Sequence, residues 1–445
     1  MNSIMEGNMS EYISLEKYKT ILNHTDSLLY TGNVNQVIGL TIESQGPAVE
    51  LNEVCQIYSV RGNRYIHAEV VGFRDENVLL MPFGDLQGIG PGSLVVATRK
   101  PFVIPVGEEL LGRVIDGLGS PMDGKGNITP DSWIEIANSP PNPLERQRIQ
   151  APLNLGIRAV DGMLTCGQGQ RMGIFAGSGV GKSTLLGMIA RNSDADVNVI
   201  ALIGERGREV RDFIEKDLQQ DGLKKSVLVV ATSDKPALTR IKGAMVATAI
   251  AEYFRDMGKN TMLMMDSLTR LAMAQREVGM AIGEPPVSRG YTPSVFAMLP
   301  KLLERAGNSS KGSITGLYTV LVDGDDFNEP ISDTVRGILD GHIVLSRELA
   351  NKNHYPAIDV LASVSRVMPD IVDEKQVEIS NYIKNLIATY NDSKDLINIG
   401  AYKPGTNPEI DEAIEKIEKI NVFLQQEVGE HNTFDETVNW MDSII

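Results

Sequence analysis

One short stretch constrains this 445-residue chain more than any other: Ala176-Gly177-Ser178-Gly179-Val180-Gly181-Lys182-Ser183-Thr184. It follows the strand-like MGIF and opens the helix-like STLLGMIARN. This is the phosphate-loop pattern with Ala in place of the first glycine. Glycines let consecutive backbone N–H groups curl around the β-phosphate of a nucleotide, and the helix N-terminus adds its positive dipole end. At this spacing Lys182 reaches the β- and γ-phosphates and the Ser183 hydroxyl binds Mg²⁺.

The surroundings fit. From about 154 to 370, apolar strand-like runs (VNVIALIG, SVLVVAT, TMLMMD, SITGLYTVLV, GHIVLS) alternate with helical ones. That alternation predicts an α/β core, a parallel sheet flanked by helices. Between 31 and 98, short β-rich runs (VNQVIGLTI, AVEL, VCQIYSV, YIHAEVVGF, NVLLMPF, SLVVAT) are separated by turn residues, which predicts a small β-barrel or sandwich. Turn residues dominate a loop-rich entry segment, 99–153, so the nucleotide-binding domain is expected over 99–370. A helical domain is expected over 371–445. A short N-terminal helical arm is expected over 1–30, where Leu15, Tyr18 and Leu22 share a face.

Carboxylates at strand ends complete the site. The apolar run Met262–Met265 ends in Asp266, placed to hold the water shell of Mg²⁺. The run VNVIALIG leads into Glu205-Arg206-Gly207-Arg208-Glu209. Glu205 there could polarise an attacking water and Arg206 could contact the γ-phosphate, but a solvated charged turn reads equally well from these residues alone. Asp323-Gly324-Asp325-Asp326 is not a calcium loop, because Asn328 and Thr334 stand where the glycine and glutamate would be needed.

Charge narrows the partners. The chain carries a formal −16, and residues 371–445 hold six Lys and Arg against fifteen Asp and Glu. No basic footprint for nucleic acid is present. Two cysteines, Cys55 and Cys166, form no disulfide framework or zinc spacing and suit a reducing, cytoplasmic setting. No apolar run is long enough for a membrane span.

Several long motifs then occur in order: GRVIDGLGSPMDGKG (112–126), GERGREVRDFIEKDL (204–218), LMMDSLTRLAMAQREVG (263–279), GEPPVSRGYTPSVFAMLPKLLERAG (283–307) and DGHIVLSRELANKNHYPAIDVLASVSRV (340–367). Together they resemble the type III secretion ATPase family, in its flagellar protein-export branch, itself similar to the catalytic β subunit of F-type ATP synthase. The resemblance runs from about Gly32 to near the C-terminus; Thr292 stands where proline is commoner.

The resemblance implies a RecA-like core between a β-barrel and a helical domain. It also implies a homohexamer that hydrolyses ATP with Mg²⁺ at its subunit interfaces. It supports Lys182 and Ser183 as phosphate and Mg²⁺ ligands, Asp266 as the Mg²⁺-site acid and Glu205 as the residue that orients water. Arg206 and Arg270 match arginines near the γ-phosphate, and Arg366 matches an arginine finger from the neighbouring subunit. Tyr355 matches the aromatic that stacks on adenine. A second adenine wall is expected after Leu424, with no position assigned. Implied partners are a regulatory stator-like protein at the N-terminal arm, a stalk protein, an export gate and chaperone–cargo complexes. The implied location is cytoplasmic, peripherally at the inner face of the cell membrane.

The injectisome version of the same machine is the alternative that the motifs barely separate. Glu205 argues against a non-catalytic rotary subunit, and GAYKPGTNPEIDEAIEKIEKI stands where a β-type rotary subunit would carry an acidic helix–loop motif. The acidic charge argues against an RNA-translocating hexamer.

Overall fold

The computed structural model describes residues 28–62, 64–322, 324 and 326–445. The expected helix around Leu15, Tyr18 and Leu22 lies outside them, as do Asp323 and Asp325. Two compact units emerge; Lys100 closes the first, and the second comprises 82–84 with 101–445.

The first unit is a closed six-stranded barrel: β1 (Thr31–Ile38), β2 (Thr41–Gln45), β3 (Val54–Tyr58), β4 (Tyr65–Arg74), β5 (Asn77–Pro82) and β6 (Leu94–Ala97), in the order β1-β2-β5-β4-β3-β6. Alternate side chains such as Cys55 and Ile57, or Ala68 and Val70, point into its core. Two details depart from the sequence expectation. VNQVIGLTI folds back at Gly39 (φ 57°) into two strands, and Ala48–Leu51 is loop. An αL glycine in the middle of an apolar run is a turn signal that β-propensity alone overrides.

The second unit is built on a nine-stranded sheet. After β7 (Val103–Val106) come β8 (Val114–Asp116) and β9 (Ser132–Glu135), with β7 and β9 paired as a separate ribbon. The sheet proper adds β10 (Arg171–Ala176), β11 (Val197–Ile203), β12 (Ser226–Ala231), β13 (Asn260–Asp266), β14 (Gly307–Asn308), β15 (Ser313–Leu321), β16 (Gly341–Leu345) and β17 (Ile358–Ser365). The order is β17-β16-β10-β15-β13-β11-β12-β8; β14 and β17 pair antiparallel and the rest parallel. β8, drawn from the loop-rich segment, escapes a sequence reading because three residues between glycines show no period. β17 escapes it because its exposed face breaks the apolar run.

The principal helices are α1 (Arg158–Met163), α2 (Lys182–Asn192), α3 (Gly207–Asp212), α4 (Ala237–Asp256), α5 (Leu268–Ile282), α6 (Pro293–Leu303), α7 (Pro330–Ile338), α8 (Glu374–Asn398), α9 (Pro408–Leu424) and α10 (Phe434–Asp442). Asp373 caps α8, and Thr433 with Glu436 forms a capping box at α10. Ile379, Ile383, Leu386, Ile420, Phe423 and Met441 of this helical tail join one core with Ile174, Leu185 and Met264 of the sheet and its covering helix. Burying each such side chain contributes about 2 kcal/mol. No helix among the described residues is long and apolar enough to cross a membrane.

Candidate active site

The site forms where parallel strands end and helices begin. β10 is buried and stops at Ala176; the chain curls through 177–181 and enters α2 at Lys182. Gly181 is the cap, at φ 88°, a conformation that costs an L side chain about 1–2 kcal/mol. A Cβ there would also press on the Tyr355 ring at 3.4 Å. Ser178 and Gly179 are exposed at the loop crest, Gly177 and Val180 are buried, and Ser183 is exposed beside the half-buried Thr184.

Register carries Asp266 to the loop. Met265 of β13 pairs with Tyr318 of β15, which pairs with Gly173 of β10. Asp266 is therefore separated from β10 only by β15 and stands level with Ile174, two residues before β10 ends. Its carboxylate is buried, accepts a 2.7 Å hydrogen bond from the Thr319 hydroxyl and lies 2.5 Å from Lys182 Nζ. Glu205, three residues beyond Leu202, which is level with Asp266, comes within 3.8 Å of the same ammonium.

Arg270 reaches Glu205 by a local device. Ser267 caps α5 by accepting the Arg270 N–H, which starts the helix directly after Asp266. The arginine then crosses Gly204 (φ 73°), where a Cβ would lie 2.8 Å from Arg270 Cδ. Arg270 Nε stops 3.3 Å from Glu205 Oε1, out of hydrogen-bond alignment; both atoms are buried, and neither has a hydrogen-bond partner among the described residues. Burial, followed by a hydrogen bond to Glu209 and the charge of Asp266, pushes the Glu205 carboxyl up to about 7 against the pull of Lys182 and Arg270. The oxygen donors of Asp266, Glu205 and the Ser183 hydroxyl are the hard ligands Mg²⁺ prefers, and the unsatisfied Glu205 Oε1 is a group waiting for a proton donor such as water.

Beside the loop opens a cavity of about 880 Å³, lined by Gly179, Gly181, Thr184, Tyr355, Gln425 and Val428 among others. Its size suits a nucleotide. Tyr355 is brought to it, 40% exposed, with its carbonyl accepting from Gln426 N–H at 2.9 Å. The stretch after Leu424 forms the facing wall.

The other two arginines fall elsewhere. Arg206 is the cap of α3; its side chain is 75% exposed and faces Glu209 at 3.7 Å rather than Lys182. Arg366 follows β17, whose Ser365 pairs with Gly341 at the start of β16, itself paired with Met172. That is the edge of the sheet opposite the phosphate loop, with the exposed side chain about four residues, or ~13 Å of strand, away from Ala176. Three residues have no site signal in the sequence: Thr319, which bonds Asp266, and Arg158 and Lys352, which line the cavity. The first hides as an ordinary strand residue; the others are lined up with the loop only by the tertiary fold.

Comparison with known proteins gives three family matches: the ATP synthase alpha/beta family beta-barrel domain over 34–99, its nucleotide-binding domain over 156–365, and the T3SS EscN ATPase C-terminal domain over 372–443. The flagellum-specific ATP synthase of Bacillus subtilis is 56% identical, covering 94% of this chain and 96% of its own. The type 3 secretion system ATPase of Xanthomonas euvesicatoria is 52% identical over 93% of each. Among solved structures, the assembled ATPase EscN of the enteropathogenic E. coli type III secretion system matches with a TM-score of 0.88 at 48% identity, covering 93% of this chain and 99% of that one. EscN in complex with its central stalk EscO matches at 0.86.

Proposed function

The chain belongs to the ATP synthase alpha/beta family, among its flagellar and type III secretion ATPases, and on that premise we propose that it hydrolyses ATP to energise export of flagellar proteins. The observation that carries the reading is the convergence of Lys182, Glu205 and Asp266 at one strand edge, beside a nucleotide-sized cavity.

ATP binds with its phosphates in the 177–184 loop and its base between Tyr355 and the wall after Leu424. Its phosphate charge draws Lys182 away from Asp266. The Ser183 hydroxyl and the Asp266 carboxylate would hold Mg²⁺, which would supply charge neutralisation on the β- and γ-phosphates. Glu205 orients the attacking water and takes its proton as oxygen bonds to the γ-phosphorus and the bond to ADP breaks. Arg270, at 3.3 Å, holds the Glu205 carboxylate in place. We assign Arg206 no contact with its own site, since its side chain is solvated. Arg366 cannot serve its own loop from the opposite edge, so it acts as a finger on the next copy in a homohexamer.

The barrel (31–98), the ATPase region (99–370) and the helical tail (371–445) then divide the work. The stalk and export gate engage the ring, chaperone–cargo complexes deliver substrate, and the N-terminal arm takes the stator-like regulator. The ring works peripherally at the cytoplasmic membrane face and does not take nucleic acid. Deleting the gene in its own host tests the assignment. Filament proteins should vanish from the medium and return with the wild-type gene but not with Lys182→Ala. Undiminished flagellar export in the deletion strain overturns the flagellar reading.

A further inference from the structure

The wall of the nucleotide cavity that faces the phosphate loop is a strap, residues 423–432, between α9 and α10. It contains no regular structure after Leu424, yet it is anchored from three directions. Arg158, at the start of α1, is 2% exposed. Its Nε donates to Phe423 O at 3.0 Å, one Nη to Glu430 Oε2 and Asn432 Oδ1 at 3.1 and 2.9 Å, and the other Nη to Gln425 O. The guanidinium also lies over the Trp440 ring at 4.5 Å. One planar fork thus spans the whole strap, which a lysine cannot do.

Gln426, 5% exposed, ties the same strap in the other sense. Its Nε2 donates to Gly156 O at 2.8 Å and Glu430 O at 3.2 Å, and its Oε1 accepts the Arg158 N–H at 2.9 Å. Its own N–H donates to Tyr355 O, so strap and ring are fixed to each other. From the far end of α2, Arg191 donates to Val428 O at 2.9 Å. Nothing in this network touches Lys182, Glu205 or Asp266.

We propose that Arg158 and Gln426 are positioning residues for the nucleoside end of the site: they hold the 423–432 strap against Tyr355, and so set affinity for the base-bearing nucleotide independently of the phosphate loop. The inference rests on the nucleotide-pocket reading above and adds that affinity for the base is controlled from the helical tail. A merely structural role would weaken every ligand alike or lower stability alone. A positioning role weakens ATP and spares a ligand that has phosphates but no base.

The test uses the full-length ring, with inorganic tripolyphosphate as the baseless probe. In Arg158→Lys, KM for Mg-ATP should rise about tenfold while kcat at saturation stays within about twofold, because the interaction removed is made equally in ground and transition states. Inhibition by Mg-tripolyphosphate should keep its wild-type constant. Gln426→Glu, which loses both Nε2 donors and keeps the acceptor, should shift KM in the same direction; it decides the matter alone if Arg158→Lys does not fold. An unchanged KM, or tripolyphosphate weakening in step with ATP, overturns the proposal. A wild-type protein that neither turns over ATP nor binds tripolyphosphate would remove the pocket reading itself, and the proposal with it.

Discussion

Glu205 shows how a position in the fold sets a residue's chemistry. Burial and its carboxyl neighbours hold its proton up to about 7, and a protonated carboxyl cannot accept a proton from water. The acid form dominates below that pH and the base form above it. kcat/KM should therefore fall about tenfold per pH unit on the acid side of 7 and level off on the alkaline side. Glu205→Gln should retain ATP binding and lose turnover by about 10²–10⁴. Residual turnover with the wild-type pH profile in that variant would show that another group is the base. Lys182→Ala removes a charge-assisted phosphate contact, so Mg-ATP binding should weaken at least about tenfold, measurable by nucleotide titration.

The strand-to-helix junctions are the elements that aim these groups, and Gly204 is the most sensitive. Gly204→Ala places a methyl 2.8 Å from Arg270 Cδ at a positive φ. The two penalties together should cost about 2 kcal/mol or more, lower Tm by several degrees and displace Arg270 from Glu205. A variant with wild-type kcat and Tm would show that Arg270 moves aside freely. At this scale the sequence was most legible where the signal is local. The phosphate loop is contiguous, and the strand ending in Asp266 is a clean apolar run. Arg206 and Arg270 both matched arginines near the γ-phosphate, and only the cap at Ser267 and the bare backbone at Gly204 separate the one that turns inward from the one that turns out. The 423–432 strap has no periodicity to read. Its place is set by hydrogen bonds from Arg158 and Gly156, more than 260 residues earlier in the chain.

The whole chain carries a sheet with its phosphate loop on one edge and Arg366 on the other. If Arg366 acts on a neighbouring copy, ATPase activity per molecule should climb with protein concentration and then plateau as rings close. Arg366→Ala should assemble but lose turnover by about 10³ or more. Mixed with Glu205→Gln it should regain some activity, because some interfaces then pair an intact glutamate with an intact arginine; none at any ratio would rule out action in trans. The helical tail belongs to this scale as well. Sequence patterning sets it apart as a domain of its own, yet its Ile383, Phe423 and Met441 belong to the same continuous core as Ile174, Leu185 and Met264 of the sheet and its covering helix, with Phe423 and Met441 lying against Gly162 of α1.

The opposed placement of loop and arginine also bears on the life of a newly made chain. On the proposed roles, such a chain could be loaded with fuel as soon as it folds, since the 177–184 loop, Lys182 and Asp266 are its own. With Arg366 acting in trans, it would not fire until a neighbour arrived. Subunits adrift in the cell would then be charged but idle, and hydrolysis would be confined to the place where rings are built.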